Sequence, residues 1–199
     1  MKRLITLLPP ALLWGQYRLD ATISFPVRDT LQPIRATLWL FPTVLRYDLY
    51  GTHRGKSYQL SYLFSEAKAY LIDHTEKKAY EVTPLRETPT PPEKATLLRR
   101  FTTKDGYQAE EWELTFPELS LKVTWALEFP FDWKLWERFL EADRIGAAAR
   151  YFKVGLPLRI EQYEKGLLTW ALETQTIQKS DRPPSAQPPY PISPWIGDK

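Results

Sequence analysis

The residues that invite a chemical reading are few. The run Gly51-Thr52-His53-Arg54-Gly55-Lys56-Ser57 has the look of a phosphate loop. It is one residue short of the G-x-x-x-x-G-K-[ST] spacing, and strand-like alternation follows it where a helix N-terminus would have to complete the nest of N–H groups. A hairpin turn accounts for it better. The two histidines, His53 and His74, both fall in expected turns, with no ligand spacing around either, so both read as solvated and no metal site is expected. No G-x-S-x-G elbow is present, and apart from Ser57, four residues from His53 in the expected turn, no serine has a histidine close to it in sequence. Glu110 with Glu111, or Asp132 with Glu137, could supply a carboxylate pair, but acidic residues on the wet side of a strand or helix are usually solubilising. Cysteine is absent, which removes disulfides, thiolate-bound zinc, a thiol nucleophile and a lipid-anchored cysteine together. The sequence therefore points away from an enzyme and calls for no cofactor.

The bulk properties set the frame for what remains. The 199 residues, 43% hydrophobic and 14% aromatic, suit one folded domain with a substantial core. The formal charge of +3 does not describe a nucleic-acid surface, because basic and acidic residues are interspersed and no basic run is longer than two residues, as at Arg99-Arg100. Met1-Lys2-Arg3 followed by the apolar stretch Leu4–Trp14 reads as a signal peptide over residues 1–16, too short to span a bilayer. This predicts a periplasmic or secreted protein that does not span the membrane. Its loss would remove two positive charges, taking the net charge from +3 to +1. One methionine, no asparagine and 18 prolines match the composition of a heat-adapted, thermophile protein.

Positioning falls to strands. Tyr17, Leu19, Ala21, Ile23 and Phe25 alternate until Pro26, and a second segment runs near Thr37 to Phe41. Leu45, Tyr47 and Leu49 alternate with Arg46 and Asp48. Tyr58, Leu60, Tyr62 and Phe64 form the next apolar face, and Tyr70 and Ile72 lead to the polar tip Asp73–Lys77, from which Tyr80 and Val82 return. Pro84, Pro89, Pro91 and Pro92 mark a connection. The meander resumes after Gly106 with Trp112, Leu114 and Phe116, then Leu121, Val123, Trp125, Leu127 and Phe129. From Asp132 the period changes: Leu135, Phe139, Ala142, Gly146 and Ala149 recur at helical spacing, predicting one helix over about 132–150. Two further strands surround Gly166, and the six prolines after Arg182 predict an extended tail over 182–199. The expected class is α+β: a strongly curved antiparallel sheet over 17–181, its concave face partly covered by that helix.

Three segments carry a family resemblance. They are the hairpin Tyr70-Leu71-Ile72-Asp73 through Lys78-Ala79-Tyr80-Glu81-Val82, the strand Gly106-Tyr107-Gln108-Ala109-Glu110-Glu111-Trp112, and Gly155-Leu156-Pro157-Leu158-Arg159-Ile160-Glu161 followed by Gly166. Together they resemble the LolA/LolB-like superfamily of outer-membrane lipoprotein carriers, nearest to its relatives without an assigned function. The family's members usually carry a helix near the N-terminus, where Tyr17 here begins a strand. The resemblance implies a half-barrel whose concave apolar face could hold a lipid, an acyl chain or a lipid-modified protein. Tyr47, Tyr62, Trp125, Phe139 and Trp170 are the candidate ligand-binding residues. The competing expectation is a structural or interaction module with a fully packed core, binding another envelope protein through the tail, where Tyr190 and Trp195 offer aromatic anchors.

Overall fold

A computed structural model describes residues 16–27, 30–53, 56–65, 68–82, 92–129, 131 and 155–194. All regular elements among them are strands: β1 Tyr17–Val27, β2 Thr30–Leu40, β3 Val44–His53, β4 Lys56–Ser65, β5 Ala69–Asp73, β6 Lys78–Val82, β7 Lys94–Thr102, β8 Gln108–Thr115, β9 Leu119–Ala126, β10 Leu156–Glu164, β11 Leu167–Lys179 and β12 Ile192–Ser193. They form one open, curved sheet in the order β12-β6-β5-β4-β3-β2-β1-β11-β10-β9-β8-β7. Every pairing is antiparallel except β12 against β6, which is parallel.

This corrects the expected α+β class. No helix occurs among the described residues, and the sheet is all-β as far as it is described. The helical component of the expectation rested on a single stripe over about 132–150, which lies outside the described residues, as do residues 1–15 and Phe139. Most of the other strands carry period-two alternation, and that period commits them to ladders. The phosphate-loop look-alike resolves as the two arms of the β3–β4 hairpin, with Thr52 opposite Ser57 and His53 opposite Lys56.

Two features depart from the expected strand layout. β2 begins at Thr30, well before the expected Thr37, and carries Pro33 opposite Ser24. β7 lies outside the expected strands. It forms one edge of the sheet and is bulged at Leu98, between Leu97 and Arg99.

Strand register stacks the apolar parities into rows on the inner face. One row runs Trp112, Val123, Ile160, Leu172, Ile23, Ile34 across six strands. Another runs Leu19, Leu38, Tyr47, Tyr62, Leu71 across five. Bulges keep the rows in phase, as where β1 shifts against β11 between Asp20 and Ala21. All of the row residues except Leu71 belong to the main core cluster, which reaches from Phe64 and Ala69 on one side of the sheet to Leu114 and Leu121 on the other. Past β9 the chain crosses one end of this face. Phe129 meets the Tyr17 ring edge-on at 5.5 Å and the Tyr107 ring at 4.8 Å, and Phe131 is buried in the core.

Candidate functional site

Four of the five candidate ligand-binding residues meet in the inner-face cluster: Tyr47, Tyr62, Trp125 and Trp170. Tyr47 and Tyr62 are directly opposed on β3 and β4, and their rings stack at 4.6 Å with an interplanar angle of 17°. Phe64 approaches Tyr47 at 6.0 Å. Such stacking adds about 0.5–1.5 kcal/mol per pair beyond the area buried. Trp125 is fully buried, Tyr47 and Trp170 nearly so, and Tyr62 half-buried. The inner face is thus mainly apolar and buried, with Gln162 and Glu110 the polar residues among its rows, and Tyr62 is the most accessible aromatic of the four.

The outer face holds an arrangement that the sequence did not signal as a site. Asp48, 4% exposed, accepts hydrogen bonds from Ser61 Oγ at 2.5 Å, Arg46 Nε at 2.7 Å and Trp39 Nε1 at 3.3 Å. Ser61, fully buried, also lies 2.8 Å from His74 Nε2, and Arg46 donates to it at 3.3 Å. His74 Nδ1 is 3.2 Å from the Tyr190 hydroxyl. The seam continues through Arg18, which stacks on Trp39 at 5.1 Å and donates to Asp20. Asp20 also accepts from Thr37 and Thr176.

Donor and acceptor accounting fixes the direction of the chain of bonds. A carboxylate only accepts, so the Ser61 hydroxyl spends its single proton on Asp48. Ser61 Oγ must then accept from His74, which places the imidazole proton on Nε2 and leaves Nδ1 to accept from Tyr190. Every proton points inward, from Tyr190 through His74 and Ser61 to Asp48. Nucleophilic catalysis needs the reverse, a histidine that takes the serine proton, and an accessible serine oxygen. Serine, histidine and aspartate are all here, but in an order that locks structure together.

His74, expected to be a solvated turn histidine, is half-buried. Burial holds its pKa below the ordinary 6.5, with repulsion from Arg46 in the same sense and Asp48 and Asp73 opposing. The hairpin tip that presents it is built by Asp73, whose carboxylate accepts from the Thr75 and Glu76 amides, and by Lys77 at φ 54°. Among the described residues no group of three or more His, Cys, Asp or Glu could hold a metal.

One sequence signal did mark this region. Tyr62-Leu63-Phe64 and Ala69-Tyr70-Leu71-Ile72 are continuous apolar runs, the pattern of strands covered on both faces. Leu63, Tyr70 and Ile72, with Val44 and Ala79, form a second, outer cluster, against which Tyr190 packs.

The fold so defined is a single open, curved sheet with an apolar inner face. Neither a family model nor a curated protein matches the sequence. Among solved structures, an uncharacterized conserved protein from Thermus thermophilus is similar over 92% of this chain and 91% of its own, at 9% identity and a TM-score of 0.54, which shows a shared fold. A LolA superfamily protein, NE2245 from Nitrosomonas europaea, is similar over 86% of this chain and 89% of its own, at 10% identity and a TM-score of 0.40. PNGF-II is similar over 90% of this chain but only 31% of its own, at 8% identity and a TM-score of 0.44.

Proposed function

We propose that this chain is a non-enzymatic envelope protein, exported by its N-terminal segment, that binds a lipid, an acyl chain or a lipid-modified protein on the inner face of the sheet. The observation that carries the reading is the register. Aromatic and aliphatic residues from nine strands stand in rows on one face of an open sheet. Such a face gains from any apolar chain laid along it, at about 0.8 kcal/mol per methylene buried. Tyr62, half-buried beside Tyr47, is the natural point of entry, with Trp125 and Trp170 deeper. Phe139 belongs to the same proposal from sequence alone. The inward-pointing relay at Ser61 supports the non-enzymatic part of the reading.

Native mass spectrometry of the chain purified without detergent, before and after incubation with lysophospholipid and acylated peptide, tests it. A retained lipid-sized mass, lost on denaturation and reduced in Tyr62→Glu and Trp125→Glu, is expected. Shortening the acyl chain by two methylenes should weaken binding by about 1.6 kcal/mol, somewhat over tenfold. A clean protein mass under every condition would refute the reading.

The close packing of Trp125 and the docked C-terminal segment favour a second reading, an interaction module whose inner face is filled by its own side chains. A clean protein mass would leave this reading standing.

A further inference from the structure

The C-terminal segment leaves the sheet at Ser180, whose N–H donates to the Gln16 carbonyl at 3.0 Å, and crosses onto the outer face. It walls a cleft of about 560 Å³ with Trp39, Arg46 and Asp48. Between Asp181 and Pro189 most side chains are exposed, and side-chain bonds such as Ser185 Oγ to the Gln187 carbonyl are local. The next four residues are different. Tyr190 packs on the outer apolar cluster, stands edge-on to His74 at 5.5 Å and donates to its Nδ1. The Pro191 carbonyl accepts from the Ala79 amide at 3.4 Å, and Ile192 and Ser193 pair with Ala79 and Tyr80.

An exposed, proline-rich linker thus ends in a compact anchor. The receiving surface is built without the tail, from Val44, Leu63, Tyr70 and Ile72, the His74 imidazole and the edge of β6. An aromatic pocket beside an unfilled strand edge is how extended peptides are bound by strand addition: the edge gives ladder bonds and the pocket gives specificity. The anchor is small, one aromatic side chain and two ladder residues, so tethering does much of the work by holding the segment at millimolar effective concentration. A segment held that way can be exchanged.

We infer that the outer face of β3–β6 is a docking groove for an extended peptide that carries a tyrosine-like aromatic ahead of its ladder residues, which the Tyr190–Ser193 segment of this chain occupies as a plug, with the Ile192 side chain left 50% exposed, and which a partner's segment of the same chemistry displaces.

The test uses the full chain and a fluorescently labelled peptide spanning residues 187–194. In the wild type the tethered segment competes with the peptide. In Tyr190→Asp the groove is vacated, and Tyr190→Ser makes the same comparison without placing a charge beside the apolar cluster. Anisotropy titration should show the peptide binding at least about tenfold tighter to the vacated chains than to wild type. A peptide with alanine at the tyrosine position should lose at least about tenfold, as expected when the anchor is removed. Adding His74→Leu to the vacated chain should weaken the native peptide but leave the alanine peptide unchanged. Equal binding to wild-type and vacated chains, or no binding to a vacated chain with a native circular dichroism spectrum, would overturn the inference.

Discussion

Replacing Asp48 by leucine should be among the most damaging single changes on the outer face. The carboxylate is 4% exposed and takes three donors, one of them charged. Leucine matches its size but accepts nothing. The Arg46 guanidinium, whose side chain is 19% exposed, then loses its counter-ion, and the buried Ser61 hydroxyl loses its acceptor. Removing one member of a largely buried ion pair costs about 3–5 kcal/mol. At about 2–4 °C per kcal/mol for a chain of this size, the melting point should fall by roughly 6–20 °C. Asp48→Asn keeps the shape and one acceptor oxygen but loses the charge, and should cost about 1–3 kcal/mol. Urea unfolding followed by tryptophan fluorescence gives both values. A double-mutant cycle with Ser61→Ala should show coupling of at least about 1 kcal/mol, because the two side chains share a bond. Because the relay ends at Tyr190, hydrogen exchange at the Ala79 amide should also quicken in Asp48→Leu. An Asp48→Leu chain within about 1 kcal/mol of wild type, additive with Ser61→Ala, would show that the seam is not a coupled network.

The tail should respond to acid through His74. Its folded pKa lies below 6.5, so neutral imidazole favours the folded, tail-docked state. That contribution is complete above 6.5 and is lost as pH falls from there through the depressed value. The protection factor of the Ala79 amide, its intrinsic exchange rate at each pH divided by the observed rate, should therefore fall between pH 7 and pH 5 in the wild type and stay flat in His74→Gln. Gly155, at φ +113°, leaves a Cβ no room, since it would sit 2.6 Å from the Ala126 carbonyl oxygen. Gly155→Ala should cost about 2–4 kcal/mol in urea unfolding, from the strained backbone and the contact together. Lys165 and Gly166, at φ 51° and 78°, make the two-residue β10–β11 turn a left-handed one. Lys165→Asn should raise the melting point slightly, by about 0.5 kcal/mol of stability, because asparagine tolerates that conformation better.

Where alternation was clean, as in β1, β3, β8 and β9, the sequence alone placed the strands. β7 escaped because its edge position leaves charged Arg99 and Arg100 beside a bulge at Leu98, so no alternation survives. Pro33 hid the first half of β2, since proline inside a run argues against a strand. Tyr47, Tyr62, Trp125 and Trp170 were legible as one cluster because each sits on the apolar parity of its strand. Asp48, Ser61 and His74 were not, because strand polarity alone cannot separate a wet face from a buried polar one. Their connection to Tyr190 spans 116 residues from His74, and only the tail's return to β6 makes it.

The two faces of β3 and β4 constrain each other. Tyr47 and Tyr62 point inward from positions adjacent to Asp48 and Ser61, which point outward. A slip of one residue would exchange the sets and carry Arg46 and Asp48 into the apolar inner face. Burying that pair away from its hydrogen-bond partners would cost several kcal/mol, so every register but the native one is penalised by the seam as well as by the lost aromatic stack. An apolar inner face by itself tolerates sliding, because one aliphatic contact substitutes for another. The buried acceptor does not tolerate it: Asp48, bonded to Arg46 of its own strand, finds Ser61 and Trp39 at bonding distance in one alignment of three strands. The polar seam therefore fixes the alignment that places Tyr47 on Tyr62, and that same alignment delivers His74 to the returning Tyr190.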